Sequence, residues 1–207
     1  MESSQRVATR GRGRPRRITR ERIADVGIEI GLPNITFTGV AAALGVSHMA
    51  LYKHVPSLAA LKHLVAEEAF GRWNIPPVCT QPSGGLQDYL MTFTASVLTF
   101  VKAHPGLTPY VLRRMAATES MLAKIDAHHD KVAATFSISK DDARWLNATV
   151  TFQCIAAADT VYTAAGLEPF LTADRAAEEA EMEVELMEGV RALIIGALAI
   201  LKDRQRR

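Results

Sequence analysis

Apolar residues recur at helical spacing along most of this chain, and the alternation that marks a half-buried strand is absent. The spacing predicts helices over Ser57 to Trp73, Leu86 to Ala103, Thr108 to Ala117, Ser120 to Phe136, Lys140 to Ala165 and roughly Ala176 to Asp203. In the first of these, Leu58, Leu61, Val65 and Phe70 are expected to face inward. Pro105 closes the second. Between them, Asn74 to Gly85 carries Pro76, Pro77, Pro82 and paired glycines, and reads as the one convincing linker. An all-α architecture follows.

A shorter pattern near the N-terminus is the most informative. Thr36 to Val55, TFTGVAAALGVSHMALYKHV, reads as two short helices broken at Gly45. Thr36 is placed to cap the first, in which Val40, Ala41 and Leu44 share a face. Gly45 follows at the position where a left-handed backbone is cheap only for glycine. Ser47 can cap the second helix, where Leu51 and Val55 turn inward with Val46 and leave His48, Met49, Tyr52 and Lys53 outside. Pro56 ends it, because the residue before a proline disfavours the α region. Two short helices around a tight glycine turn form a helix-turn-helix, whose second helix can lie in the DNA major groove.

Charge supports that reading. Between Arg6 and Arg22 there are eight arginines and a single acid, Glu21, a footprint suited to phosphate. Within it, GRGRPRR at 11–17 is punctuated by glycine and proline and is similar to AT-hook arms, which insert arginine into narrow minor grooves. The whole chain is nearly neutral, with 24 Lys and Arg against 22 Asp and Glu, but residues 1–73 hold 11 basic against 6 acidic residues. The basic third is the third with the motif.

The segment from about Ile18 to Val65 resembles the N-terminal domain of the TetR family of bacterial one-component repressors. The resemblance is carried by ITRERIADVGIEIG, TFTGVAAALGVS, HMALYKHV and PSLAAL, with L-G-V-S, L-Y-x-H-V and S-x-x-A-L as its specific strings. It covers about a quarter of the chain. It implies an all-α homodimer, with a three-helix helix-turn-helix DNA-binding head and a helical-bundle body for ligand binding and dimerisation. The expected divisions are a disordered basic arm over 1–17, the DNA-binding domain over 18–56, a connecting helix over 57–73, and an effector-binding and dimerisation domain over 74–207. Three positions depart from the family's pattern. Leu58 replaces a lysine that touches phosphate. Thr38 and Gly39 stand where longer polar residues reach DNA, and Gly27 replaces an alanine at about 1 kcal/mol of helix propensity.

Site residues follow from that frame. Ser47, His48 and Met49 are expected at base edges, Thr36, Tyr52, Lys53 and His54 at the phosphates, and Arg12, Arg14 and Arg16 in the minor groove, with Thr38 also among the DNA-binding residues. An effector cavity should be mostly apolar with a few placed polar groups. Its candidates are Met91, Phe93, Val97, Phe100, Tyr110, Met115, Trp145, Phe152 and Asp159, each of which ordinary packing would also explain. Asp159 is the sharpest, since a carboxylate among alanines is costly to bury unless paired; it would meet an effector or cross a dimer interface. The helix at Lys140 to Ala165 is apolar on more than one face, and the last helix runs from acidic Glu178 to Glu188 into Val190 to Leu201, where Gly189, Gly196 and Ala197 allow close approach, which suits a homodimer formed through the two.

Other functions find little support. The chain lacks G-x-S-x-G, H-E-x-x-H, P-loop and G-x-G-x-x-G motifs, so neither an enzyme nor a cofactor is expected. His128 and His129 are adjacent, hence about 100° apart on a helix and unable to chelate a metal together. Cys79 and Cys154 stand alone and read as reduced thiols of a cytoplasmic protein. No run approaches the roughly 18 apolar residues of a membrane span. The expected partners are therefore double-stranded DNA, a small-molecule effector and a second copy of the chain. The alternative is an effector-independent, weakly sequence-specific architectural DNA binder.

Overall fold

The computed structural model describes residues 18–79, 85–112, 117–165 and 175–206, and all regular structure among them is helical. Helix α1 (Arg20–Ile30), a 3-10 turn (Leu32–Asn34), α2 (Phe37–Leu44) and α3 (His48–Tyr52) form the head, and α4 (Leu58–Arg72) leads away from it. The body comprises α5 (Leu86–Ala103), α6 (Thr108–Leu112), α7 (Glu119–Phe136), α8 (Lys140–Ala165) and α9 (Arg175–Gln205). The arm at 1–17 and part of the linker lie outside the described residues.

The head is built by local signals that agree with one another. Hydroxyls of Thr19, Thr36, Ser47 and Ser57 each accept the backbone N–H three residues on, capping α1, α2, α3 and α4 in turn. After α2, Gly45 adopts φ 68° and ψ 35°, while its N–H reaches the Ala42 carbonyl and that of Val46 reaches Ala41. These two bonds make a Schellman motif, which satisfies carbonyls that a helix end otherwise leaves orphaned. Ile23, Val40, Leu51, Val55, Leu61 and Val65 are then almost wholly buried together. Here Gly27 has a definite role: a Cβ at that position would lie 2.2 Å from a methyl of Val65 on α4. Its cost in helix propensity is thus the condition for bringing α1 against α4.

Two expectations are corrected. The α-helix of α3 ends at Tyr52 rather than running to Val55. Pro56 has no N–H for the Tyr52 carbonyl, and the N–H groups of His54 and Val55 both turn back to Leu51. Leu58, expected inward, is 42% exposed. It occupies the first position of α4, and the core begins one turn later at Leu61.

Head and body share material. Phe100, Leu107 and Met121 from the body complete the head core, and Trp73 and Val111 touch both cores. Trp73 donates its indole N–H to Ser96 Oγ at 3.0 Å and stacks on Phe100. On α7, Lys124 Nζ donates to the carbonyls of Phe70, Gly71 and Trp73 at 3.0, 2.8 and 2.6 Å, closing the C-terminus of α4. One turn earlier, Thr118 and Ser120 donate to Glu67 Oε1 of α4. Helix α4 is thereby fastened to α7 along its second half.

Candidate functional site

On the outer surface of the head, α3 holds its side chains in a fixed arrangement. Leu51, fully buried, anchors the helix, which leaves Ser47, His48, Met49, Tyr52 and Lys53 exposed and His54 half-buried. Tyr52 lies flat on Phe37, the rings 4.3 Å apart at 15°. His48 stands edge-on to Tyr52 at 4.8 Å and to Phe37 at 5.5 Å. These three rings limit one another's rotamers, so His48 and Tyr52 face outward without being free to wander. Phe37 was absent from the sequence-based site; its place at the first position of α2, beneath the recognition helix, is what the pattern could have signalled.

Around that cluster, the small hydroxyl residues do two jobs. Thr36 and Ser47 use an oxygen lone pair to cap their helices, and their O–H protons stay available to an acceptor such as a phosphate. Met49 is 70% exposed, the most of any large apolar residue described. Exposed methionine in a recognition helix offers a soft apolar contact for a thymine methyl. Thr38 is exposed as well. Arg12, Arg14 and Arg16 lie outside the described residues.

The residues expected to line an effector cavity are scattered. Phe93 and Val97 sit in the body core. Met91 borders an open groove of about 500 Å3 between α5 and α9, with Val184, Met187 and Arg191. Tyr110 packs edge-on against His63 of α4, at the joint between head and body. Trp145 is covered by the Arg204 guanidinium at 4.5 Å. Phe152 is 52% exposed on α8. Asp159, exposed rather than buried, accepts a hydrogen bond from Thr108 at 3.2 Å, and Met115 is outside the described residues. Of the eight that are described, Phe93, Val97 and Phe100 are buried, and Phe100 belongs to the head core.

Beside Phe93 the structure assembles a polar cluster that spacing alone did not reveal. The Tyr89 hydroxyl and His128 Nε2 are 2.5 Å apart, and His128 stacks on Phe93 at 5.3 Å. Burial, reinforced by the neighbouring charges of His129 and Lys131, pushes His128 down to about 4, so its ring is neutral near pH 7. Burial likewise pushes the Tyr89 phenol well above its ordinary value, an effect the nearby Asn147 amide tempers. Asn147 itself is 3% exposed, and neither Nδ2 nor Oδ1 has a hydrogen-bond partner. Three helices, α5, α7 and α8, supply one residue each.

Helices α8 and α9 also present an uncovered apolar face. Their inner stripe of Leu146, Val150, Cys154, Val190, Ile194 and Leu201 is buried in the body. On the outside, Phe152, Ile195 and Ile200 are half or more exposed, with Ala148, Ala156, Gly196 and Ala199 around them. Among the described residues, no helix is long and apolar enough to cross a membrane.

No family model matches the sequence, and no curated protein does. Solved structures do match in fold. A TetR variant from Acinetobacter baumannii AYE in complex with minocycline superposes with a TM-score of 0.65 at 16% identity, over 89% of this chain and 99% of that one. Apo ActR from Streptomyces coelicolor gives 0.63 at 15% identity, over 90% and 99%. The same organism's ActR, a TetR family protein, in complex with (S)-DNPA gives 0.62 at 17%, over 88% and 98%. The chain therefore has the fold of the TetR-type regulators along nearly its whole length, body as well as head.

Proposed function

We propose that this protein is a transcriptional repressor that binds a palindromic operator as a homodimer in the cytoplasm and is released by a small-molecule effector. The observation that carries the reading is the ring cluster on α3: Tyr52 and His48 are braced by Phe37, with Met49 exposed beside them. An apolar and aromatic surface so exposed wants a partner, and a recognition helix in the major groove supplies one. Ser47, His48 and Met49 read bases, while Thr36, Thr38, Tyr52, Lys53 and His54 hold phosphates. The arginines at 12, 14 and 16 add minor-groove contacts. A second copy covers the apolar outer face of α8 and α9, and a two-fold protein matches a two-fold operator. Phe152 and Asp159, both on the outside of α8, fit that interface better than an effector cavity. Two of the fold neighbours were solved with small molecules bound, minocycline and (S)-DNPA, which favours a ligand-responsive body here too.

Selection of bound fragments from the host's genomic DNA tests this reading. A repressor enriches one inverted repeat far above bulk DNA. Uniform recovery with steep salt dependence would instead establish the architectural binder. Deleting residues 1–17 should weaken binding to the selected site and lower the slope of log K against log salt by about 2–3, as expected for three lost phosphate-region contacts. Unchanged affinity would remove the arm from the interface.

A further inference from the structure

The helix-turn-helix is short of the groups that most often tell one base pair from another. From Thr36 to Val55 the sequence has no Arg, Asn, Gln, Asp or Glu, and its one long charged side chain is Lys53, at the C-terminal end of α3. Bidentate contacts to guanine from arginine, or to adenine from asparagine and glutamine, are therefore closed to this element. Lys53 is at the wrong end, because such helices meet base edges with their N-terminal residues.

The polar residues at that N-terminal end have little to spare. Ser47 uses an oxygen lone pair on the Ala50 N–H at 3.2 Å. His48 stands edge-on to both Tyr52 and Phe37, and its two ring nitrogens point apart, so it offers any one base a single bond. What the surface does present is Met49. It is second in α3 and 70% exposed, so packing within the head does not account for it. Set against a base carbonyl or ring nitrogen, an apolar side chain would remove water and return no bond. The apolar feature that the major groove offers is the methyl at pyrimidine C5, which thymine carries and cytosine lacks.

We propose that Met49 is a methyl reader: sequence choice by this head rests chiefly on contact between the Met49 side chain and the C5 methyl of a thymine in each half-site, with hydrogen bonds to bases in the lesser part. The proposal deepens the DNA-binding reading of α3 and rests on it. Because 5-methylcytosine carries the same methyl, the test separates the two sources.

The probe is the inverted repeat recovered by genomic selection, titrated with the full chain and followed by fluorescence anisotropy. Thymines are replaced by uracil in symmetric pairs, which removes the methyl and keeps the pairing and the hydrogen-bonding edge. At one pair the loss should be about fifteenfold, or about fourfold when only one half-site is changed, the effect of one buried methyl per half-site. In Met49→Ala the same uracil operator should bind as well as the thymine operator, whereas Met49→Leu should retain the discrimination. Both variants should keep Tm within about 2 °C, as expected for so exposed a position. At that base pair, 5-methylcytosine should bind better than cytosine with Met49 present and no better in Met49→Ala. Uracil tolerated at every position, or a loss that persists unchanged in Met49→Ala, would overturn the proposal and leave the operator intact. Tighter binding of 5-methylcytosine than of thymine would overturn thymine as the source. A selection that recovers no inverted repeat would overturn the repressor reading and this proposal together.

Discussion

Head and body treat buried polar groups in opposite ways. In the head, four helix starts are capped by hydroxyls, the α2 end is closed by a Schellman turn, and the fully buried side chains are all apolar. The body encloses Thr94, His128, His129 and Asn147. Thr94 bonds back to its own helix at Leu90 and Met91, whereas the Asn147 amide has beside it only the Tyr89 hydroxyl, which His128 already engages. The difference follows from where each region is proposed to work. A head that reads DNA works on its outside, so its interior is free to be arranged for stability. A body that recognises a small molecule works inside and must keep polar groups there, at the expense of stability.

If the head is that tightly arranged, it should have little tolerance, and Gly27→Ala gives the largest expected effect. On an exposed helix this change would stabilise by up to about 1 kcal/mol. Here the new Cβ meets a Val65 methyl at 2.2 Å, and Val65 is β-branched, hence stiff at χ1, and 1% exposed. The sign should therefore reverse to a loss of about 1–3 kcal/mol, read from denaturant midpoints at constant slope. Combining it with Val65→Ala should recover part of that loss, a coupling that only direct contact produces. A stabilised single variant would break the comparison, since the head would then be as loosely fitted as any surface helix.

Next in size is a pH effect confined to the body. His128 binds a proton only near pH 4 when folded, against an ordinary value of 6.5. Between those two values the unfolded chain holds more protons than the native one, so stability falls as pH drops through that window. The contribution is on the order of 2 kcal/mol once complete. His104 and His129, also shifted down by burial, act in the same direction. His128→Gln should flatten the pH dependence of unfolding, measured from pH 7 to pH 4; an unchanged slope would overturn the assignment to His128.

Much of the head was legible in the sequence because its signals are local. A hydroxyl cap, a glycine at the helix end and a proline after Val55 each act within a few residues, and the apolar spacing picked out Val40, Leu51, Val55 and Leu61 correctly. Leu58 misled because periodicity does not say where the core begins, and Phe37 was missed because its partners, His48 and Tyr52, belong to another helix. The body's helices were also legible, but not its polar cluster. Tyr89, His128 and Asn147 lie on three different helices, 39 and 19 residues apart in turn, and each fits its own helix as an ordinary side chain. The reading of His128 and His129 looked only at their spacing on one helix. It overlooked that a single histidine can find its partner on a different helix.

The joint between the two regions offers a finer test. Lys124 closes α4 by donating to the carbonyls of Phe70, Gly71 and Trp73, of which that of Phe70 also accepts the Trp73 N–H. Its ammonium also sits 5.5 Å from the centre of the Phe70 ring, so Lys124→Met keeps a long apolar side chain and removes both the hydrogen bonds and this cation–π contact. A loss of about 1–2 kcal/mol is expected, with faster amide exchange in the last turn of α4 but not in α1 or α2. Exchange that accelerates throughout the head would mean that head and body form a single cooperative unit, and the contrast between them would lose its physical basis.

The smallest expected effect bears most directly on how the head divides one residue between folding and binding. Thr36 caps α2 through Gly39, whose N–H lies 3.0 Å from its hydroxyl oxygen. A Cβ at Gly39 would lie 2.9 Å from that same oxygen, so this cap excludes the longer side chains that would otherwise reach DNA from that position. Thr36→Ala should cost about 1 kcal/mol of stability. Gly39→Ala should also destabilise when Thr36 is present, because it disturbs the cap. In the Thr36→Ala background the clash is gone, only the gain in helix propensity remains, and the same change should stabilise by a few tenths to about 1 kcal/mol. That reversal would show the short residue at 39 to be a consequence of the cap. It would also leave Thr36, Ser47 and the braced rings of His48 and Tyr52 to make the contacts that a longer side chain makes elsewhere. Two independent losses that simply add would show the opposite: Gly39 then owes nothing to Thr36, and the light polar surface of α2 has its origin in the DNA it faces.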